Sequence, residues 1–196
     1  RLRSGRTPEE LGAALTFLLT WGTVPSLYYG DEIGMRYLPG MPDVEGAICN
    51  PGYNRAGCRT PMQWDDNPEA GFTDGEPWMT VNPNYHELNV VADLEREDSV
   101  FRYYQQLIQL RKSHDALVYG TFEDLLPEDE FLHAYVRELD GTRFTIVLNH
   151  SDEPRDLSID VEGDELVLQN VKNDEARLLP HEARIYMKKD RDISGQ

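Results

Sequence analysis

Along residues 7–21, TPEELGAALTFLLTW, apolar side chains recur at Leu11, Ala14, Leu15, Leu18 and Leu19, the spacing that lays one stripe along a helix. Thr7 and Glu10 stand at capping-box spacing, and Pro8 takes the first helical position, where an N–H would have no partner anyway. Gly22 stops the pattern. The run that follows, TVPSLYYG, is continuous rather than periodic and predicts a short buried strand over residues 24–29, ending at Gly30. Pro25 falls near the strand's opening, where proline is tolerated. Gly30 and Gly34 are expected to permit a sharp exit from it. A helix, a tight connection and a buried strand together predict an α/β repeat.

From Arg36 to about Asp98 nothing is periodic, and seven prolines fall between Pro39 and Pro83. A loop of this length in a compact protein is functional or argues against the assignment. Its methionine and aromatic content argues against disorder and for an ordered excursion packed on the rest of the protein. A second helix is expected over residues 99–114, with Val100, Phe101, Tyr104, Leu107, Ile108 and Arg111 along one side. Beyond Leu117 the texture changes to short runs, many alternating, such as ALVYGTFEDLL, FLHAYVREL, TRFTIVLNH and EARIYMKK. Turn residues separate them, with Asp140–Gly141 the clearest hairpin. That is the pattern of an antiparallel sandwich or barrel, and it places a domain boundary near residue 116.

Charge narrows the partners. Nineteen basic against 36 acidic residues give a net charge of −17. Solubility is the simplest consequence. The balance excludes the basic footprint of a nucleic-acid binder and repels anionic membrane surfaces, so a neutral ligand is the easiest to accommodate. No apolar run approaches the roughly 20 residues of a membrane span. The first residue is Arg1 rather than methionine, which suggests a processed chain or a piece of something longer. Cys49 and Cys58 make no disulfide framework and are read as reduced thiols of a cytoplasmic protein. His86, His114, His133, His150 and His181 are scattered without ligand spacing, so no metal or cofactor is expected.

GTVPSLYYGDEIGM, together with CRTPMQWDDNPEAGFTDGEPWMTVNPNY, resembles the α-amylase superfamily, glycoside hydrolase family 13, in its bacterial α-glucosidase branch. The helix DSVFRYYQQLIQLRKSHDALVYG and the strands after it continue the likeness over essentially the whole chain. RTPMQW followed by AGFT is a long string of low degeneracy, which makes chance a poor explanation. The resemblance implies the end of a (β/α)₈ barrel followed by an antiparallel C-terminal β-domain. Residues 7–21 would be the seventh barrel helix, 24–29 the eighth strand and 99–114 the eighth helix. Residues 1–115 would then belong to the barrel, including a substrate-site loop over 30–98, and residues 116–196 to the β-domain. One βα unit leaves its strand edges unpaired and the stripe of helix 7–21 half uncovered, so the N-terminal third is expected to be loosely ordered alone.

The resemblance also implies chemistry. These enzymes are retaining glycosidases, which need a carboxylate nucleophile and a carboxylic acid about 5 Å apart. In the family those groups come from the fourth and fifth strands, with a third Asp in an Asn-His-Asp motif upstream of Arg1. Asn149–His150 is followed by Ser151 and does not match. All three carboxylates are therefore expected outside this chain, and Asp31, Glu32, Asp65 and Asp66 do not replace them. A family calcium site near the first strand would lie outside it too.

Arg59, in RTPMQW, is the residue the resemblance assigns to substrate binding, closing the pocket around the non-reducing-end glucose. A guanidinium's rigid fork of donors suits sugar hydroxyls and a carboxylate together. The competing reading is an arginine that pairs within its own loop. Arg55 would line the next subsite. Trp64, Phe72 and Trp78 are expected to pack within the loop rather than stack on sugars. Glu32 is expected to be a buried structural partner. The loop before RTPMQW is shorter than in many oligo-1,6-glucosidases, which leaves the choice of α-glucoside open. The alternatives are a non-catalytic sugar-binding or scaffold module, or part of a trehalose synthase-type glucosyl isomerase.

Overall fold

The computed structural model describes residues 5–43 and 54–189; Cys49 lies outside them. The chain divides into two compact units, one built on residues 27–102 with the segment before Glu9, the other on Glu9–Ser26 with the chain from Tyr103 onward.

In the second unit, helix α1 spans Pro8–Thr20, as the stripe and cap predict. Leu11, Leu15 and Leu19 are buried, whereas Ala14 and Leu18 are only half-buried. The helix is rotated so that Gly12, Thr16 and Thr20, four apart, join the buried face. Thr16 Oγ donates to the Gly12 carbonyl at 2.8 Å and pairs with the Tyr103 hydroxyl at 2.5 Å. Thr20 Oγ repeats this with the Thr16 carbonyl (2.7 Å) and the Tyr135 hydroxyl (2.5 Å). Each threonine has one proton, already given to its own helix, so the tyrosine donates. Burial pushes both phenols well above their ordinary pKa, which keeps them neutral donors. Partners from α3 and the sheet thus cover the Gly12–Thr16–Thr20 side of α1, while Ala14 and Leu18 of the predicted stripe stay half-buried.

Helix α3 spans Val100–Ser113. A helical turn α4 at Ala116–Tyr119 replaces the extended start expected for ALVYGTFEDLL, and strand β1 begins at Thr121 and ends at Asp124. Strands β2 (Leu132–Leu139) and β3 (Thr142–Asn149) form the expected hairpin. Its two-residue turn has Asp140 at φ 49° and Gly141 at φ 76°, the positive pair that matches strand twist. The remaining strands are β4 (Arg155–Asp156), β5 (Glu165–Gln169), β6 (Arg177–Leu178) and β7 (Ala183–Lys189). They make a five-stranded antiparallel sheet in the order β1-β2-β3-β7-β5 and a two-stranded ribbon, β4-β6. Leu178 of the ribbon packs with Leu132, Ala134, Val147 and Tyr186 of the sheet, under Leu157, Ile159 and Val161. The opposite face receives His114, whose ring meets Phe144 edge-on at 5.0 Å.

The strand expected over 24–29 does not form. Its backbone is irregular and Val24 is 94% exposed. A parallel strand is held by neighbours on both edges, and the described residues supply none. The exit turn after it does form, with Gly30 and Gly34 at φ 83° and 67° and the Met35 N–H donating to the Gly30 carbonyl at 2.7 Å.

The first unit is ordered, as its side-chain content predicts, by side chains satisfying backbone. Ile33, Met35 and Met62 form its core with Val90 and Phe101. Gln63 Nε2 donates to the Leu88 carbonyl at 2.5 Å, and the Val90 N–H returns to the Gln63 carbonyl at 3.0 Å. A short helix α2, Val90–Glu95, escapes the periodicity reading; Asn89 caps it by accepting the Ala92 N–H at 2.8 Å.

Candidate substrate-binding cleft

Gly57 lets the loop over residues 54–60 close on itself. A Cβ there would stand 2.1 Å from the Leu38 carbonyl oxygen, whose own N–H donates to the Gly57 carbonyl at 2.9 Å. The resulting 3-10 turn, Ala56–Cys58, ends on Arg59, whose N–H donates to the Ala56 carbonyl at 2.9 Å. Arg59 enters a cleft of about 560 Å³, within the ordinary size range of small-molecule sites. Glu32 shares that cleft, half-buried, so the buried role expected for it falls instead to its neighbour Asp31. Among the described residues lining the cleft, which include Pro61 and Met62, Glu32 is the only acidic one.

Five aromatic rings among the described residues also line the cleft: Tyr28, Tyr29, Trp64, Phe72 and Trp78. All five are exposed, Trp78 by 67%, which corrects the expectation that the tryptophans and Phe72 pack within the loop. Met62, Ala70, Met79 and Val81 already fill the interior. The alternation was readable: in WMTV, Trp78 and Thr80 face out while Met79 and Val81 face in. A tight turn presents Trp64 and Phe72. Glu69, Ala70 and Gly71 are all left-handed (φ 55°, 56° and 63°), and the Trp64 N–H donates to the Ala70 carbonyl at 2.9 Å. Two non-glycine residues in that region cost about 1–2 kcal/mol each, so the surroundings must hold the turn in place.

Arg55 is exposed and is not among the residues that line the cleft; its carbonyl accepts from the Cys58 N–H (3.1 Å) and thiol (3.0 Å). Asp65 is occupied by its own turn, accepting from the Asn67 N–H and side chain at 2.9 Å each.

The histidines, scattered in sequence, partly converge. The His133 and His150 rings lie 4.5 Å apart edge-on, and His181 Nε2 meets Asp152 Oδ1 at 2.9 Å. Desolvation holds the His150 pKa below its ordinary value, helped by the charges of His133 and His181. Its folded form thus binds a proton less readily than its unfolded form. Stability from this group is present above about pH 6.5 and is lost as pH falls from there through the lowered folded pKa. His150 is itself exposed, so solvent screens most of this effect. We expect the melting temperature to drop by about a degree at most across that window, and His150→Gln to flatten the profile, with calorimetry at stepped pH as the check. Among the described residues no three His, Cys, Asp or Glu side chains converge to hold a metal ion, and no helix is long and apolar enough to cross a membrane.

Residues 4–120 match the family "Alpha amylase, catalytic domain", and residues 132–188 match "Beta-galactosidase C-terminal domain". An oligo-1,6-glucosidase of Parageobacillus thermoglucosidasius is 38% identical over 91% of this chain and 38% of its own length. Among solved structures, isomaltulose synthase from Klebsiella sp. LX3 superposes with a TM-score of 0.77 at 32% identity, covering 91% of this chain and 38% of that one. A trehalulose synthase from Pseudomonas mesoacidophila MX-45 gives 0.76 at 29% identity, with 91% and 38% covered. The chain thus spans 38% of the length of these relatives.

Proposed function

This chain belongs to the α-amylase family of glycoside hydrolases, and on that premise we propose that it is the C-terminal portion of a retaining α-glucosidase-like enzyme. The observation that carries the reading is that Arg59 lines an aromatic cleft in which Glu32 is the one carboxylate among the described residues. A retaining mechanism needs two carboxylates about 5 Å apart, so we assign the nucleophile and the acid to polypeptide outside this chain. Arg59 then binds rather than cleaves. Its fork of N–H donors grips two neighbouring hydroxyls of the terminal glucose, which seals one end of the site and favours removal of single end units over mid-chain cutting. Arg55, outside the cleft lining, would reach the ligand only at an adjoining subsite. A neutral α-glucoside suits the chain's charge of −17, and a reducing, cytoplasmic setting suits the free thiol of Cys58.

A second reading is a glucosyl isomerase, supported by the likeness to isomaltulose and trehalulose synthases. Product analysis on sucrose separates the two: glucose and fructose for hydrolysis, an isomeric disaccharide for transfer within the site.

The test is Arg59→Ala in the longer protein that carries this segment. We expect kcat/KM on an aryl α-glucoside to fall roughly a hundredfold, about 2.7 kcal/mol, with the fold intact and Arg59→Lys recovering little. An unchanged kcat/KM removes Arg59 from the site. Turnover by the 196-residue chain alone would overturn the fragment reading.

A further inference from the structure

The exit turn that follows Tyr29 is closed by its own backbone. The Asp31 N–H donates to the Tyr28 carbonyl at 3.1 Å, the Gly34 N–H to the Asp31 carbonyl at 3.1 Å and the Met35 N–H to the Gly30 carbonyl at 2.7 Å. Ile33 and Met35, both fully buried, pack the turn against Met62. Tyr29 stands at its entrance, with its ring lining the Arg59 cleft 4.9 Å from the ring of Tyr28.

The Tyr29 hydroxyl donates to the Thr60 carbonyl at 3.0 Å, across 31 positions of the chain. Thr60 directly follows Arg59 and is fully buried. Pro61 comes next, and a residue before proline has little backbone choice beyond the extended region. An anchor on the Thr60 carbonyl is therefore passed back to Arg59 instead of being absorbed between them. On the other side of Arg59, the Leu38 N–H holds the Gly57 carbonyl at 2.9 Å. Arg59 thus stands between two ties to residues 29–38, one made by backbone and the other by a side chain that a point substitution can remove.

We propose that Tyr29 is a positioning residue for Arg59: its hydroxyl fixes the backbone from which the guanidinium reaches the sugar. The inference rests on the reading of Arg59 as the substrate-binding arginine, and adds how the loop holds that arginine ready. Arginine has many rotatable bonds, and each freedom surrendered on binding weakens the complex. A backbone fixed before the sugar arrives leaves the side chain alone to be ordered. Because Tyr29 acts through a group that binds rather than cleaves, its effect belongs in KM. Phenylalanine keeps the ring on the cleft and removes the hydroxyl, which isolates the tie.

The experiment is a double-mutant cycle in the longer protein, with Tyr29→Phe, Arg59→Ala and the pair assayed on an aryl α-glucoside. Tyr29→Phe is expected to raise KM about fivefold with kcat close to that of the unsubstituted enzyme, the change that one neutral hydrogen bond accounts for. In the Arg59→Ala background the same substitution should change KM by less than about twofold, because the hydroxyl has nothing left to position. Loop stability alone would move the melting temperature and leave the KM of the folded enzyme unchanged. A hydroxyl that touched the sugar itself would show its full effect in both backgrounds. Either result, or a fall in kcat with KM unmoved, overturns the proposal while leaving Arg59 in the site. An Arg59→Ala enzyme with unchanged kcat/KM instead overturns the substrate-binding reading, and the proposal with it.

Discussion

Replacing Arg137 with methionine should cost the β-sheet unit about 4 kcal/mol of stability, measured by urea unfolding followed in the near-ultraviolet. Arg137 sits within β2, is 2% exposed, and spends its guanidinium on three carbonyl oxygens. Nε donates to Thr121 at 3.1 Å, Nη1 to Thr20 at 3.2 Å and Nη2 to Gly120 at 2.8 Å. Hydrogen bonds from a charged donor contribute about 1.5–3 kcal/mol each, and three orphaned acceptors outweigh the desolvation of the cation that methionine removes. Arg111 does the same beside it: Nη1 donates to Leu19 (2.7 Å) and Leu117 (2.8 Å), and Nη2 to Thr23 (3.0 Å). Two guanidiniums therefore satisfy the last carbonyls of α1 and the end of α4, where positive charge also complements the helix dipole. Burial lowers the pKa of both, and in Arg137 the neighbouring Arg111 charge adds to the effect. Gly22 makes the room: it stands at φ 89°, and a Cβ there would lie 1.8 Å from Arg137 Nη1. A loss under about 1 kcal/mol would show that water replaces the guanidinium at no cost.

Glu182→Ala should be comparably severe, about 3–5 kcal/mol. Glu182 is fully buried. Its Oε1 accepts from Arg184 Nε at 2.5 Å, and its Oε2 from Asn173 Nδ2 at 2.8 Å and the Leu179 N–H at 2.6 Å. Arg184 Nη2 in turn donates to the carbonyls of Glu175 (2.9 Å) and Arg177 (3.0 Å). Burial alone would lower the Arg184 pKa, but the hydrogen bonds and charges of Glu182 and Tyr186 together outweigh it and raise it. Removing the carboxylate strands a buried cation and frees the connection between β6 and β7. Replacing both partners, Glu182→Leu with Arg184→Met, should recover much of the loss, because neither charge then lacks a partner. A double variant as unstable as the single one would mean the backbone bonds, not the ion pair, hold the connection.

The features legible in sequence are those fixed by near neighbours. The stripe and the proline start of α1, the stripe of α3 and the Asp140–Gly141 turn each depend on a few consecutive residues. The strand expected at 24–29 depends on partners far along a chain, and no local pattern supplies them. Arg137 was illegible for the same reason: an arginine within VREL reads as a solvent-facing position, and only the approach of α1 turns it inward. The cleft was half legible. RTPMQW pointed to Arg59, while the outward faces of Trp64 and Trp78 needed the inward-facing methionines beside them to be counted. His133, His150 and His181 come from three segments, and their meeting leaves no trace in spacing.

The three tryptophans fall unequally between the two units. Trp21 is wedged among Phe17, Phe122 and Tyr135, with ring centroids 4.5–5.3 Å away, whereas Trp64 and Trp78 stand open to solvent. An indole among apolar rings fluoresces at shorter wavelength than one facing water. The blue edge of the emission band therefore reports whether the sheet unit is folded, and the red edge reports what touches the cleft. A sugar that quenches only the red edge, leaving the blue edge unmoved, would give an optical signature of ligand capture without any added dye.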